Sequence, residues 1–297
     1  MKLALVLIIY RTNSTYAKET AQFCQSTFLS ENIASKCISS DVDLNSLKID
    51  FKEKTKLPDL IIVLGGDGTV LKSANELVEF NIPILSFNIG GNLGFLTQEK
   101  QFLFDKSFIN LLHHDQFIID SRTMLKCNFF KASRIENKYR LIKYYALNDF
   151  YLKSAENDIS PTNQIRVAID NEVVNEFKGD GLIISSATGS TAYSMAAGGP
   201  IIHPSINAFI INPICPMSLS SRPIVIPDES VVTIKTSKIT KKSLQLWKDG
   251  TKCQILDENE FCEIKRGEKP INMISFKKSI SYYGKLVKKL EWRGNLT

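Results

Sequence analysis

The sequence predicts a doubly wound α/β N-terminal domain followed by a β-rich C-terminal domain. Three observations carry this. Over roughly the first hundred residues, apolar strand-length runs alternate with helix-spaced segments. The run at 59–64 (DLIIVL) is apolar almost throughout, as expected of a parallel strand covered on both faces. From about residue 117 short strands follow one another, with turn signals at Asp170-Asn171 and Asp249-Gly250.

Taken in order, 3–10 reads as a buried first strand, 15–30 as a helix and 33–38 as a weaker strand. The 59–64 strand comes next, then a helix over 69–80 with Val70, Leu71, Ala74, Leu77 and Val78 at helical spacing. A strand at 83–87 and a helix at 99–112 complete the alternating half. The β-rich half begins with strands at 117–131, 138–152, 165–170, 172–178 and 182–186. One helix is inserted near 190–198. Strands near 224–226, 231–236, 243–248, 253–256 and 261–265 follow. There is no internal repeat and no low-complexity linker.

Composition excludes several classes. The chain has 297 residues, 43% apolar and 23% charged, enough for two ordinary domains and unlike a disordered or collagenous chain. Net charge is +6, which points to anionic partners. The excess sits in 276–297, where Lys277, Lys278, Lys285, Lys288, Lys289 and Arg293 face one acid, Glu291. The rest is close to neutral, so composition gives no support for a nucleic-acid stripe. Six scattered cysteines, with no C-x-x-C pair, suit free thiols in a reducing compartment. The apolar opening at 2–10 is too short to span a bilayer, and no run approaches eighteen apolar residues; a cytoplasmic protein is expected.

The strongest local signal is Gly65-Gly66-Asp67-Gly68-Thr69, between an apolar strand and an amphipathic helix. That is where α/β folds place ligands. Glycines let the backbone approach a ligand, and free amides at a helix start favour phosphate. The spacing fits neither a Walker A loop nor G-x-G-x-x-G. Asp67 is unusual there, since a carboxylate repels phosphate. It either caps the helix or accepts a proton from a hydroxyl attacking phosphorus.

A second signal runs from Gly179-Asp180-Gly181 through Thr188, Ser190, Thr191, Ala192, Tyr193 and Ser194 to Gly198-Gly199-Pro200. It is either a capped helix between strands or a hydroxyl-rich binding turn. In the latter, Tyr193 offers a ring to stack on a base. A third is Asn148-Asp149: an amide can read an adenine edge and a carboxylate can accept from ribose hydroxyls, while a plain turn uses the same residues. Lys178 either meets a phosphate or is a solvated strand residue. His113, His114 and His203 read as structural or solvated.

Together these segments resemble the bacterial-type ATP-dependent NAD kinases. The matching blocks are GGDGT at 65–69, LGFLT at 93–97, LND at 147–149 and GDGLIISSATGSTAYSMAAGGPI at 179–201. PICPMSLSSRPIVIP at 213–227 and DG at 249–250 are similar too. GGDGT is shared with diacylglycerol and sphingoid kinases; the 179–201 block is the specific one. The resemblance implies a phosphate-donor α/β domain (1–116 plus 273–297) and a β-rich NAD-binding domain (117–272). It implies transfer of the γ-phosphoryl of ATP to the 2′-hydroxyl of the adenosine ribose of NAD, making NADP, with Asp67 as proton acceptor. A divalent cation, Mg²⁺, would ride mainly on the ATP phosphates. Gly66, Gly68 and Thr69 match the phosphate-facing loop, and Lys72 stands where many members carry Arg. Asn148 and Asp149 match the residues holding adenosine, and Asp180 a residue near the nicotinamide end. Thr191, Ala192, Tyr193 and Ser194 match the helix start that packs on NAD, with Thr188 in the same block. Phe95 and Cys215 match pocket-lining positions. A homodimer or homotetramer is implied. Departures are Asp149 for the usual Glu, Met217 for His, Thr251 for Gln, no basic residue over 158–165, and one extra residue in 87–92. The rival readings are a lipid kinase of the same superfamily and a non-catalytic NAD(P) sensor. By the family's architecture the basic tail returns to the first domain, its charge expected on a solvated helix face.

Overall fold

The computed structural model describes residues 1–42, 57–105, 107–133, 138–155, 163–236 and 243–291. Arg293 and most of the 158–165 stretch lie outside these. The chain divides into two compact units, Met1–Ser121 with Ile271–Thr297, and Arg122–Pro270.

The first unit is built on a six-stranded sheet. Its strand order is Ala34–Ser39, Leu5–Tyr10, Leu60–Gly65, Ile84–Asn88, Ile271–Phe276 and Phe117–Arg122. The pairings among the first five are parallel. Every residue of Leu60–Gly65 is buried, which is why that run lacks polar alternation. The helix Thr15–Ser30 starts at Ser14, whose hydroxyl accepts from Ala17 N at 3.2 Å. It buries Ala17, Ala21, Cys24 and Phe28 at helical spacing. Phe28, Phe87, Phe102, Phe108 and Phe276 gather in the core, with ring centroids 5.4–6.1 Å apart in successive pairs.

Several boundaries differ from expectation. The helix expected at 69–80 begins two residues earlier, as Asp67–Leu77, and ends in a 3-10 turn, Val78–Phe80. The helix expected at 99–112 is two pieces, a 3-10 turn Lys100–Phe104 and a short helix Phe108–His113. Asp105 breaks it: its backbone is extended, and its carboxylate takes the amide (2.8 Å) and hydroxyl (2.7 Å) of Ser107. The segment 117–131 is not one strand. Phe117–Arg122 joins the first sheet, and Leu125–Ala132 belongs to the second unit. Two strands not expected at all are Ala208–Ile214 and Ile271–Phe276.

The second unit is two six-stranded sheets whose recorded pairings are antiparallel. One runs Glu172–Gly179, Asn163–Ile169, Val232–Thr236, Phe261–Arg266, Leu125–Ala132, Tyr139–Ala146. The other runs Ile224–Pro227, Ala208–Ile214, Gly181–Ser186, Asp149–Ser154, Leu244–Lys248, Thr251–Leu256. Their inner faces form one core, with Phe129, Val167 and Ile234 from the first and Phe150, Ile184 and Leu246 from the second. Asp170 and Asn171 (φ 49° and 72°) and Asp249 and Gly250 (φ 42° and 79°) make the tight turns their sequence announces. The expected helix at 190–198 is shorter: a 3-10 turn Thr188–Thr191 and one helical turn Tyr193–Ala196.

Candidate active site

In the first unit the glycine loop lies at the carboxyl end of Leu60–Gly65. Gly66 is the helix N-cap and makes no side-chain capping bond. Asp67 is the first helical residue, so the capping alternative does not hold. Its carboxylate instead accepts from Phe95 N (2.8 Å) and Leu96 N (3.1 Å), in the LGFLT loop. Each oxygen receives one amide and keeps room for another donor. Gly94 makes this possible, because a Cβ there would land on the carboxylate. At Gly66 and Gly68 a Cβ would meet nothing within 4 Å, so the space over the loop is open to a ligand.

Thr69 continues the turn, its amide on Gly66 O at 3.0 Å. Lys72 is exposed. It adds to the pull that hydroxyl bonds from Ser39 and Thr12 exert on the Asp41 carboxyl, which lies below the ordinary range. Phe95 contributes its backbone to Asp67, but its ring is taken up elsewhere. Tyr282 lies 6.3 Å away and the Lys289 ammonium 4.5 Å from the ring centre, both on the C-terminal helix Tyr282–Leu290. The loop is anchored beneath. Ser86 Oγ donates to Leu96 O at 2.5 Å, and Gly94 N to Thr97 Oγ1 at 3.3 Å. Buried Gln98 binds the last strand through Ile274 O (2.9 Å) and Phe276 N (2.7 Å).

The basic tail is not simply a solvated face. Lys285 is 7% exposed, and its ammonium donates to Phe95 O (3.1 Å) and Thr97 O (2.8 Å).

In the second unit, Leu147-Asn148 separates two strands, so the segment expected as one strand at 138–152 is Tyr139–Ala146 and Asp149–Ser154. The cause is Asp249, whose carboxylate accepts from Leu147 N, Asn148 N and Asp149 N at 2.9 Å each. Its own amide returns to Asp149 O at 3.0 Å. Asp149 is 3% exposed. Burial first, and the Asp249 charge second, push its carboxyl up to about 8. The 186–191 turn is laid against it. Ser186 Oγ donates to Leu147 O at 2.6 Å, and a Cβ on Gly189 would strike Asn148 O.

Tyr193 lies edge-on to Tyr151 at 4.9 Å, and Tyr151 stacks on Trp247 at 5.8 Å. The Tyr193 hydroxyl is pushed up by burial first and then by the charges of Asp149, Cys215 and Asp180. Asp149, Asp180 and Cys215, all singled out from sequence, thus lie within electrostatic reach of Tyr193. Asp180 is fixed by its backbone, with its N on Ile214 O (3.0 Å) and its O accepting from Asn163 Nδ2 (3.1 Å). Cys215 is exposed at φ 44°. Thr191 and Ala192 are half-buried at the helix start, the Ala192 amide on Gly189 O at 2.9 Å.

Three more of the residues singled out from sequence lie as follows. Ser194 is fully buried; its carbonyl accepts from Asn212 Nδ2 (2.9 Å) and Gly199 N (2.8 Å), so it braces the turn. Thr188 is also buried. Lys178 is exposed on its strand, its carbonyl accepting from Met217 N at 2.8 Å. Sequence reasoning missed Tyr151, although strand alternation places it on the same face as Asp149. It missed Trp247, the acceptor role of Asp249, and Gly94. It missed Gln98 and Lys285 because their partners are distant in sequence.

A unit built on a parallel sheet with a glycine loop at its strand ends, and a second, β unit carrying a buried carboxylate and stacked rings, are the parts of a nucleotide-binding phosphotransferase. Comparison with known proteins gives the particular family. Residues 10–115 match the ATP-NAD kinase N-terminal domain and 147–276 the ATP-NAD kinase C-terminal domain. The chain is 63% identical to NAD kinase 1 of Prochlorococcus marinus subsp. pastoris, over 98% of both chains. A crystal structure of yeast NADH kinase complexed with NADH superposes with a TM-score of 0.83 at 23% identity, covering 100% of this chain and 90% of that one. An Archaeoglobus fulgidus NAD kinase in complex with ATP gives 0.72 at 20%, covering 98% and 100%. The chain belongs to the NAD kinase family and is an ATP-dependent kinase of NAD.

Proposed function

We propose that Asp67 is the proton acceptor for transfer of the γ-phosphoryl of ATP to the 2′-hydroxyl of the adenosine ribose of NAD. The observation that carries this is the Asp67 carboxylate, oriented by two amides beside an uncrowded glycine loop. The first unit is the phosphate-donor domain: Gly66, Gly68 and Thr69 face the phosphates, with Lys72 nearby. The second is the NAD-binding domain: Asn148 and Asp149 hold adenosine, Tyr193 with Thr191 and Ala192 packs on NAD, and Asp180, Cys215 and Lys178 lie around it. The ribose oxygen forms the new bond to phosphorus. The bond from that phosphorus to the bridging oxygen breaks, and ADP leaves with the electron pair. The hydroxyl proton passes to Asp67. A weak base suffices, because the transition state is loose.

The cation belongs with the substrate. By the family resemblance Mg²⁺ would arrive on the ATP phosphates. It supplies charge neutralisation on those phosphates. Among the described residues no helix is long and apolar enough to cross a membrane. All six cysteines are free thiols, which supports a cytoplasmic, reducing location. The family resemblance supports a homodimer or homotetramer. The test is direct: purified protein with Mg²⁺ and ATP converts NAD to NADP. A folded sample that makes no NADP refutes the reading. No turnover of diacylglycerol is expected; phosphorylation of that lipid would favour the lipid-kinase reading instead.

Asp149 gives a pH signature. Its ordinary value is near 4 and its folded value about 8. Between these the folded state keeps a proton that the unfolded chain has released. Its contribution is fully present below about pH 4 and is lost as pH rises through about 8. Ribose hydroxyls donating to the carboxylate favour its ionised form, so NAD binding near neutral pH releases a proton. Calorimetry in buffers of different ionisation enthalpy should register that proton for the native protein and not for Asp149→Asn. Equal proton release in both removes Asp149 as the titrating group.

A further inference from the structure

Lys285 lies far from the glycine loop in sequence, yet it is buried against the loop that holds Asp67. A lysine ammonium taken out of water is costly unless its donors are satisfied. Here two backbone carbonyls, Phe95 O (3.1 Å) and Thr97 O (2.8 Å), accept from it. The Phe95 carbonyl and the Leu96 N–H are the two ends of one peptide group. At the other end Leu96 N donates to Asp67 Oδ1 at 3.1 Å. A cation on the carbonyl polarises the peptide and strengthens the N–H as a donor. The second bond, to Thr97 O, fixes the far side of the loop, where the Thr97 hydroxyl receives Gly94 N at 3.3 Å. Tyr282, Lys285 and Lys289 are spaced three and four residues apart, so one helix face serves the loop. Tyr282 and Lys289 bracket the Phe95 ring while Lys285 takes the backbone.

We propose that Lys285 is a positioning residue for phosphoryl transfer: through the Phe95–Leu96 peptide it sets the Leu96 amide that helps orient the Asp67 carboxylate. This rests on the reading of Asp67 as proton acceptor.

The test uses the full chain in four forms beside the native one: Lys285→Met, Lys285→Arg, Asp67→Asn and the Asp67→Asn/Lys285→Met double variant. Lys285→Met should lower kcat about tenfold to a hundredfold, the rate equivalent of one charged hydrogen bond. KM for NAD and for ATP should stay within about twofold, since Lys285 is buried and its ammonium is held by loop carbonyls. Lys285→Arg should recover part of kcat. In the Asp67→Asn background the Lys285 change should cost nothing more, because the carboxylate it serves is gone. If Lys285→Met is poorly folded, Lys285→Gln, which keeps a donor without the charge, takes its place in both backgrounds. A native kcat in Lys285→Met or Lys285→Gln overturns the proposal, as does an undiminished further loss in the double variant. If Asp67→Asn itself retains turnover, the acceptor reading fails, a separate result from the failure of Lys285 alone.

Discussion

Replacing Asp67 by Asn should lower turnover by about 10²- to 10⁴-fold, the range general-base groups contribute, while leaving NAD affinity nearly intact. The asymmetry follows from where the side chain is held. Both carboxylate oxygens are on backbone amides of one loop, at 2.8 and 3.1 Å, and Asp149, Asp180 and Tyr193 belong to the other unit. Asn has one acceptor oxygen for two amides. Its NH₂ would oppose the second N–H, and leaving that donor unsatisfied costs about 1–3 kcal/mol of stability. A modest fall in melting temperature should therefore accompany the loss of rate. Single-turnover kinetics and NAD titration would separate the two. Native turnover in a folded Asp67→Asn protein would remove the general-base role.

Ending the chain at Pro270 should abolish the fold of the α/β unit. The strand Ile271–Phe276 pairs with Ile84–Asn88 through Met273 and Ile274, and it separates that strand from Phe117–Arg122. Its loss leaves an internal gap in the sheet and strips Gln98 of both its partners. It also removes the buried side chains Ile271, Met273, Ile274, Phe276 and, on the helix beyond, Leu286. Each is worth about 1.5–3 kcal/mol, against a typical total stability of about 5–15 kcal/mol. The expected result is loss of slow amide exchange in Leu60–Gly65, where the native sheet is fully buried. Native-like protection of that strand in the truncated chain would contradict this.

Much of the fold was legible because its signals are local. The continuous apolar run at 60–65, the amphipathic helix over Thr15–Ser30 and the Asp170-Asn171 and Asp249-Gly250 turns depend on neighbours in sequence. The glycine loop was legible for the same reason. Breaks inside long β runs were not. The break at Leu147-Asn148 is made by a carboxylate about a hundred residues away, at Asp249. The split of 117–131 between two sheets depends on which strands each half meets. Burial of Thr188 and Ser194 was hidden because a hydroxyl-rich turn reads alike whether its hydroxyls face outward or brace a neighbour.

The sequence by itself determined the α/β-then-β order and the family, and it singled out Asp67, Asp149 and Tyr193 as candidates, since each rests on contiguous residues. Tertiary structure alone decided what those side chains meet. It set two amides on Asp67, turned the Phe95 ring onto the C-terminal helix and raised Asp149 by burial beside Asp249. It also divided the basic tail's charge, burying Lys285 under the Asp67 loop where a net count reads only another surface lysine. The physical reason is one of range: strand period, helix period and turn chemistry act between near neighbours. Desolvation and hydrogen-bond partnership depend on chain segments that only folding brings together.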